Sequence, residues 1–311
     1  MGARGPPRLA RAGYTGSMKA ALLTDRGVIA VKGHDARRLL NGLLTTDIAV
    51  VGPGTARFAA LLSPQGKIAV DGFVAQGPSD DTLMIDCPRA LTGRLVERLN
   101  FYKLRAKAQI EDVSDQIGVL AAWDGTGTVR GGVVFDDPRL PALGLRVILE
   151  PHGVEAAVAE LGAQLTDPQP YEAHRITLGV PSGGLDFAYG DAYPHEADMD
   201  QLNGIDFEKG CYVGQEVVSR MEHRGRIRTR VVPVSYVGSP PQLGTPVRAG
   251  GKAVGTMGST AAGRGLALLR LDRVEEALTA SLTLEADGIN LQVVRPSWAR
   301  FAMPGNPMAG E

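Results

Sequence analysis

The segment Lys209-Gly210-Cys211-Tyr212-Val213-Gly214 sets one thiol between two glycines, with a cation two residues before it. Gln215–Glu222 follows, rich in helix formers, and Gly225 stands where that helix ends. Cys211 is therefore expected just ahead of a helix N-terminus, where the helix dipole and the Lys209 ammonium favour a thiolate. A thiolate so placed serves as a nucleophile, a redox group or a transient metal ligand. Gly210 and Gly214 let a backbone approach a ligand closely. The same residues also allow a plainer reading, in which Cys211 is a small core side chain.

The second thiol, Cys87, precedes Pro88 and reads as packing at a helix start. Two cysteines so far apart cannot make a zinc or iron–sulfur site alone, since such sites take three or four closely spaced soft ligands. The five histidines show no metal spacing, so no metal ligand is assigned. Few cysteines fit a reducing compartment. The formal net charge of -1 gives no global case for nucleic-acid or membrane binding, and 5% aromatics argue against base stacking. No run approaches the roughly 18 apolar residues of a membrane span.

The chain has 311 residues, 44% of them hydrophobic, enough for one large domain or two to three small ones. Residues 1–17 are basic and rich in Gly and Pro, and are expected to be a disordered extension before Met18. From there to about residue 115, strands and helices mix without βαβ repetition. Val28–Val31 is a short strand, and Ala36–Leu44 a helix with Leu39, Leu40, Leu43 and Leu44 on one face. Phe58–Leu62 and Ile68–Val74 flank a Ser-Pro-Gln-Gly turn and read as a hairpin. Thr82–Asp86 is a strand, Pro88–Asn100 a helix with Leu91, Leu95 and Leu99 in register, and Lys107–Val113 a strand. Residues 116–225 give a second α+β unit: strands Val119–Trp123, Val133–Phe135 and Arg146–Leu149, helices Gly153–Leu161 and Tyr171–Leu178, then the Cys211 motif. Residues 226–296 read as a small β-barrel of short strands, with Gly250-Gly251 as a two-residue hairpin turn. Residues 297–311 form a tail. The fold class is α+β with antiparallel sheets.

Lys209–Arg220, KGCYVGQEVVSR, resembles the signature K-G-C-[aromatic]-x-G-Q-E-x-x-x-R of the YgfZ-type branch of the YgfZ/GcvT-like folate-binding family. The motif positions carried over are Lys209, Gly210, Cys211, Tyr212, Gly214, Gln215, Glu216 and Arg220. The resemblance extends from Met18 over nearly the whole chain. It includes LLNGLLTTDI (Leu39–Ile48), LLSPQGKIAVDGFV (Leu61–Val74), DPRLPALGLR (Asp137–Arg146), HRITLGVPSGGLD (His174–Asp186) and KAVGTMGS (Lys252–Ser259). It implies a three-domain ring like that of aminomethyltransferase, the glycine-cleavage T-protein, around a central channel holding tetrahydrofolate.

A pterin presents an edge of parallel N–H donors that a carboxylate matches, and the glutamate tail asks for arginines. Glu196, in a segment resembling the family's Pro-x-Glu stretch, is the first choice for that edge. Asp71 and Asp186 are the other acids, Asn203 offers an amide, and Arg175, Arg220 and Arg224 offer cations. Local readings stand beside these: Asp186 as a turn acid, Arg175 paired with Glu172, and Arg226, Arg228 and Arg230 as a solvated strand face.

The resemblance implies an accessory protein for iron–sulfur cluster assembly or repair, with tetrahydrofolate as cofactor and Cys211 as a transient thiol. Its partners would be folate and iron–sulfur client or assembly proteins, with no nucleic acid and no membrane. The expected location is the bacterial cytoplasm, with the mitochondrial matrix as alternative. T-proteins have an acidic pair on the central hairpin, where this chain has Val70-Asp71, which argues against a T-protein transferase. A folate-dependent aminomethyltransferase and a thiol redox protein are the competing readings.

Overall fold

The computed structural model describes residues 17–223 and 227–305. The expected extension therefore lies almost wholly outside the described residues, as do Arg224, Gly225 and Arg226. The first part of the chain contains β1 (Lys19–Leu22), β2 (Arg26–Lys32), α1 (Ala36–Asn41), β3 (Ala56–Leu62), β4 (Ile68–Gln76), β5 (Thr82–Pro88), α2 (Thr92–Lys103) and β6 (Gln109–Asp112). Five of these strands form one sheet in the order β3-β4-β5-β2-β6. Its strands are apolar on both faces because both faces are covered. Ile29, Val31, Leu61, Val70 and Val74 meet Leu40 of α1 and Leu95 and Leu99 of α2. Val28, Phe58, Phe73 and Met84 point the other way, into the middle of the molecule.

Two helix boundaries differ from expectation. α1 stops at Asn41, and Leu44 instead bridges to Leu61 of β3. The helix expected from Pro88 starts later, because β5 runs through Pro88, which pairs with Arg26. A 3-10 turn, Arg89–Leu91, then leads into α2.

The second part contains β7 (Gly118–Trp123), β8 (Val133–Asp136), β9 (Leu145–Leu149), α3 (Val154–Leu161), β10 (Gln164–Thr166) and α4 (Pro168–Thr177). Its sheet order is β10-β1-β7-β9-β8, so the first strand of the chain is inserted here. Lys19 faces Trp123 in the antiparallel pairing and Gln164 in the parallel one. A long irregular stretch then leads to α5 (Gln215–His223).

The third part is a closed barrel of β11 (Thr229–Tyr236), β12 (Pro246–Ala249), β13 (Lys252–Ala261), β14 (Arg264–Arg270), β15 (Leu284–Ala286) and β16 (Ile289–Val293). α6 (Leu271–Thr279) joins β14 to β15. Gly250 and Gly251 both have positive φ, +53° and +78°, and make the expected tight turn beneath the Ala249–Lys252 pair. One apolar cluster runs through all three parts. It joins Phe73 of the first sheet, Trp123 and Phe135 of the second, Phe187 and Tyr212 of the irregular stretch, and Val231 and Leu266 of the barrel.

Candidate functional site

The Cys211 loop is built on the segment after α1. Thr45 Oγ1 donates to the Gly204 carbonyl at 2.6 Å and accepts from the Ala60 amide at 2.9 Å, so it ties β3 to the approach of the loop. The Asp206 amide donates to the Thr45 carbonyl, and Asp206 Oδ1 accepts from the amides of Glu208 and Lys209. The Lys209 ammonium then donates to three carbonyls: Asn41 at 2.7 Å, Leu44 at 2.6 Å and Thr46 at 3.0 Å. These acceptors lie at and beyond the end of α1, where carbonyls have no helical partner. An ammonium has three N–H donors and satisfies all three. Burial nevertheless pulls the Lys209 pKa down to about 8, the nearby Asp47 and Asp206 acting the other way. The Lys209 N–H donors therefore hold the loop against the α1 terminus, a bracing role the sequence did not suggest.

Cys211 is exposed. It sits four residues ahead of α5, in the position anticipated from the glycines. Tyr212 beside it turns inward and is 8% exposed, with its phenol pushed up to about 12 by burial. Cys87 is the opposite case: it is 0% exposed, and burial pushes its thiol up to about 12. The two thiols therefore differ in kind, one displayed and one structural.

The loop leans on the turn between β3 and β4. Gly214 has φ +81°, and a Cβ there would lie 2.7 Å from the Ser63 carbonyl oxygen. Gly66, in the turn, has φ +78°, and a Cβ there would lie 2.8 Å from the Val217 Cβ. On its other side the turn holds the segment that carries Glu196. Ile68 donates to the Ala192 carbonyl at 2.9 Å, and Gly190 to the Ile68 carbonyl at 2.7 Å. Lys67 Nζ lies 3.5 Å from the Tyr193 ring centroid and 3.8 Å from Asp191 Oδ1. Glu196 Oε2 accepts from the Tyr193 amide at 2.8 Å, and burial pushes its carboxyl above the usual range. Further along β4, Asp71 accepts a short hydrogen bond from the Tyr189 hydroxyl. One turn thus carries the Cys211 loop on one flank and the Glu196 segment on the other.

Other predicted residues lie elsewhere. Arg175 donates to Asp186 Oδ2 at 2.8 Å, to Glu172 at 2.8 Å and to the Val180 carbonyl at 2.6 Å. Asp186 also accepts from the Ser182 amide and from the amide and hydroxyl of Ser259 in β13. This buried joint fastens α4 to the barrel, and both local readings of these residues hold. Asn203 is exposed and donates to the Pro138 carbonyl at 2.8 Å. Arg220 is exposed on α5. Arg230 is not on a solvated face: it is 4% exposed and binds Asp198 and Asp200. Arg228, two residues away, is exposed.

Sequence reasoning missed the roles of Lys67, Tyr189 and Tyr193. Lys67 follows the Ser-Pro-Gln-Gly turn directly, which was the available signal, whereas the tyrosines reach the site only through long-range folding. It also missed a buried ladder between the two sheets. Asp86 accepts from Arg26 at 2.6 Å and from Arg146 at 2.7 Å, and Asp137 accepts from Arg146 at 3.2 Å and Arg139 at 2.8 Å. The Arg146 guanidinium lies 4.2 Å from the Phe73 ring centroid.

Residues 23–123 match the GCVT N-terminal domain, and residues 228–301 match the CAF17 C-terminal beta-barrel domain. The whole fold is similar to that of glycine cleavage system aminomethyltransferase T from Bartonella henselae. The TM-score is 0.73 at 15% identity, covering 92% of this chain and 87% of that one. The class is therefore a GcvT-like fold closed by a CAF17-type barrel.

Among curated proteins, the chain is 31% identical over 305 residues to the mitochondrial iron–sulfur cluster assembly factor IBA57 of Mus musculus, covering 89% of this chain and 84% of that protein. It is 34% identical over 239 residues to the IBA57 homolog of Mycosarcoma maydis, covering 72% of this chain. The chain belongs to the IBA57 family. Its match spans 59% of the length of the Mycosarcoma maydis relative and 55% of that of Neurospora crassa. The resemblance to the YgfZ-type branch is refined accordingly, since the curated relatives carry the IBA57 name.

Proposed function

We propose that this chain is an accessory factor in iron–sulfur cluster assembly that binds tetrahydrofolate and uses Cys211 as a transient ligand for a cluster in passage. The observation that carries the reading is the exposure of Cys211 on a loop braced from both sides, by Lys209 on the α1 terminus and by Gly214 on the β3–β4 turn. The names of the IBA57 relatives support it. A cluster needs several thiolates, and Cys87 is buried. The remaining ligands would come from a partner, so the cluster is cargo shared between two proteins.

The residues present fit a reduced folate in part. Glu196 has one oxygen held by the Tyr193 amide, and Oε1 has no hydrogen bond among the described residues, leaving it open to an N–H donor. Asp71 is half-buried, and its Oδ1 accepts from Tyr189 in the segment that leads to Glu196. Exposed Arg220 is the remaining described candidate for the glutamate tail. Arg175 and Asp186 are committed to the buried joint with the barrel, and exposed Asn203 keeps its amide oxygen free of any hydrogen bond among the described residues. Bound tetrahydrofolate would supply one-carbon chemistry; the chain's own part is to orient its pterin edge.

The GcvT-like fold and the Asp71 carboxylate keep an aminomethyltransferase as second reading. Val70 stands where T-proteins carry another acid, which weighs against it. A thiol redox protein without folate is disfavoured because Cys87 is buried and offers no second surface thiol. The location that fits is a reducing one, the bacterial cytoplasm or the mitochondrial compartment of the named relatives.

The test is deletion of the gene with parallel assays of a [4Fe–4S] dehydratase and of glycine cleavage, together with titration of the purified chain with tetrahydrofolate. The reading expects loss of dehydratase activity, intact glycine cleavage and saturable binding. Loss of glycine cleavage alone favours the transferase.

A further inference from the structure

The contact between Tyr189 and Asp71 is built with care. Both side chains are half-buried, Tyr189 packing against the rim of the central apolar cluster, and the neighbouring Ala188 and Gly190 are exposed. The tyrosine ring needs a gap to reach the carboxylate, and Gly183 provides it. A Cβ at Gly183 would lie 2.1 Å from Tyr189 Oη and 2.2 Å from its Cζ. Phe187 anchors the segment: it is 5% exposed and meets the Tyr189 ring edge-on at 5.6 Å. Gly184 and Gly190 bracket the segment with φ +84° and +83°, a backbone conformation that bulkier residues rarely adopt. The Gly190 amide then ties the segment to the start of β4. Burial, followed by the Asp71 charge, holds the Tyr189 phenol well above its usual range, so it remains a donor.

Asp71 lies four residues beyond Lys67, about 13 Å along an extended chain. Lys67 in turn lies against Tyr193, whose amide holds Glu196. The Tyr189–Asp71 pair and Glu196 thus belong to one segment, which the Gly190 and Ala192 backbone bonds to Ile68 fasten to the start of β4. A ligand that reaches Asp71 finds its Oδ1 already occupied by the Tyr189 hydroxyl.

We infer that Tyr189 is a specificity-determining latch over Asp71, its hydroxyl competing for that carboxylate with the N–H groups of a reduced pterin. This rests on the folate reading above. Tetrahydrofolate carries ring N–H donors at N5 and N8 that folic acid lacks. A carboxylate released from Tyr189 therefore strengthens binding of the reduced ligand selectively. Removal of the hydroxyl frees one acceptor lobe of a charged group, an effect of roughly tenfold in affinity.

The experiment titrates the wild-type chain and the variants Tyr189→Phe, Gly183→Ala, Asp71→Asn and Glu196→Gln with tetrahydrofolate and with folic acid, each variant first checked by circular dichroism. Tyr189→Phe is expected to bind tetrahydrofolate roughly tenfold more tightly and folic acid unchanged. Gly183→Ala keeps the hydroxyl but unseats the ring, and is expected to shift tetrahydrofolate in the same direction. Adding Asp71→Asn to Tyr189→Phe removes the gain. The latch is overturned if Tyr189→Phe moves both ligands alike, or moves neither, while Glu196→Gln still weakens both. Absence of binding to the wild type and to every variant overturns the folate reading and the latch with it.

Discussion

Gly214 and Gly66 meet backbone to backbone: a Cβ on Gly214 would come within 3.1 Å of the Gly66 Cα. Each is the positive-φ residue of its own turn, one before α5 and one between β3 and β4. The absence of two side chains is what lets the Cys211 loop rest on the hairpin. Gly214→Ala is expected to cost roughly 2–3 kcal/mol, from overlap with the Ser63 carbonyl and from the left-handed backbone. A urea titration measures the loss. Alkylation of Cys211 should accelerate in the same variant, because the loop loses its seat; an unchanged midpoint and rate would show the contact to be slack.

Lys209→Met is expected to destabilise by about 1–3 kcal/mol, because the carbonyls of Asn41, Leu44 and Thr46 lose their shared donor. Hydrogen exchange reads the effect locally. The amides of Lys209 and Glu208 should exchange faster while β11 of the barrel does not change. Equal acceleration everywhere would point to global destabilisation instead.

Arg146 sits between Asp86 and Asp137 with 3% of its surface exposed. Arg146→Met leaves both carboxylates short of a charge in the middle of the molecule, at an expected cost of about 3–5 kcal/mol. Asp137 makes the pH sense clear. Burial pushes its carboxyl up, but Arg139 and Arg146 outweigh burial and hold it below the usual range. A carboxyl with a depressed folded pKa stabilises above its unfolded value and loses that contribution as pH falls. Acid unfolding of the wild type should thus begin below about pH 4. The Arg146→Met curve should start lower and be flatter in that window.

Glu196 has the opposite sign. Its carboxyl is raised above its ordinary value of 4.5, first by burial. The folded chain then holds the proton more tightly than the unfolded one. The stabilisation is complete below 4.5 and is lost as pH rises through the folded value. Since pterin N–H donors favour the ionised form, tetrahydrofolate affinity should rise with pH across the same window. Glu196→Gln should abolish that rise, and a pH-independent affinity in the wild type would contradict the assignment of Glu196 to the pterin edge.

Much of this arrangement was legible because it is local. The Ser-Pro-Gln-Gly turn, the Gly250-Gly251 turn and the thiol ahead of α5 follow from glycine conformation and helix-forming residues within a few positions. What was illegible is non-local. Nothing near Lys19 announces that β1 pairs with Trp123 and Gln164 rather than with β2. Leu44 reads as the last residue of an amphipathic helix until its bridge to Leu61 competes for it. Arg230 alternates with Arg228 as a surface pair would, and only the fold brings Asp198 and Asp200 to one of the two. Arg175 and Asp186 were suitable for a folate by charge, but charge does not reveal that a buried joint has already taken both.

The central claim concerns one exposed sulfur, and Cys211→Ser in place of the native gene tests it most directly. The readout is [4Fe–4S] dehydratase activity, normalised to the amount and melting temperature of the protein. With folding unchanged, the account predicts activity reduced to that of the deletion strain. Full activity from a folded, abundant Cys211→Ser protein would contradict it.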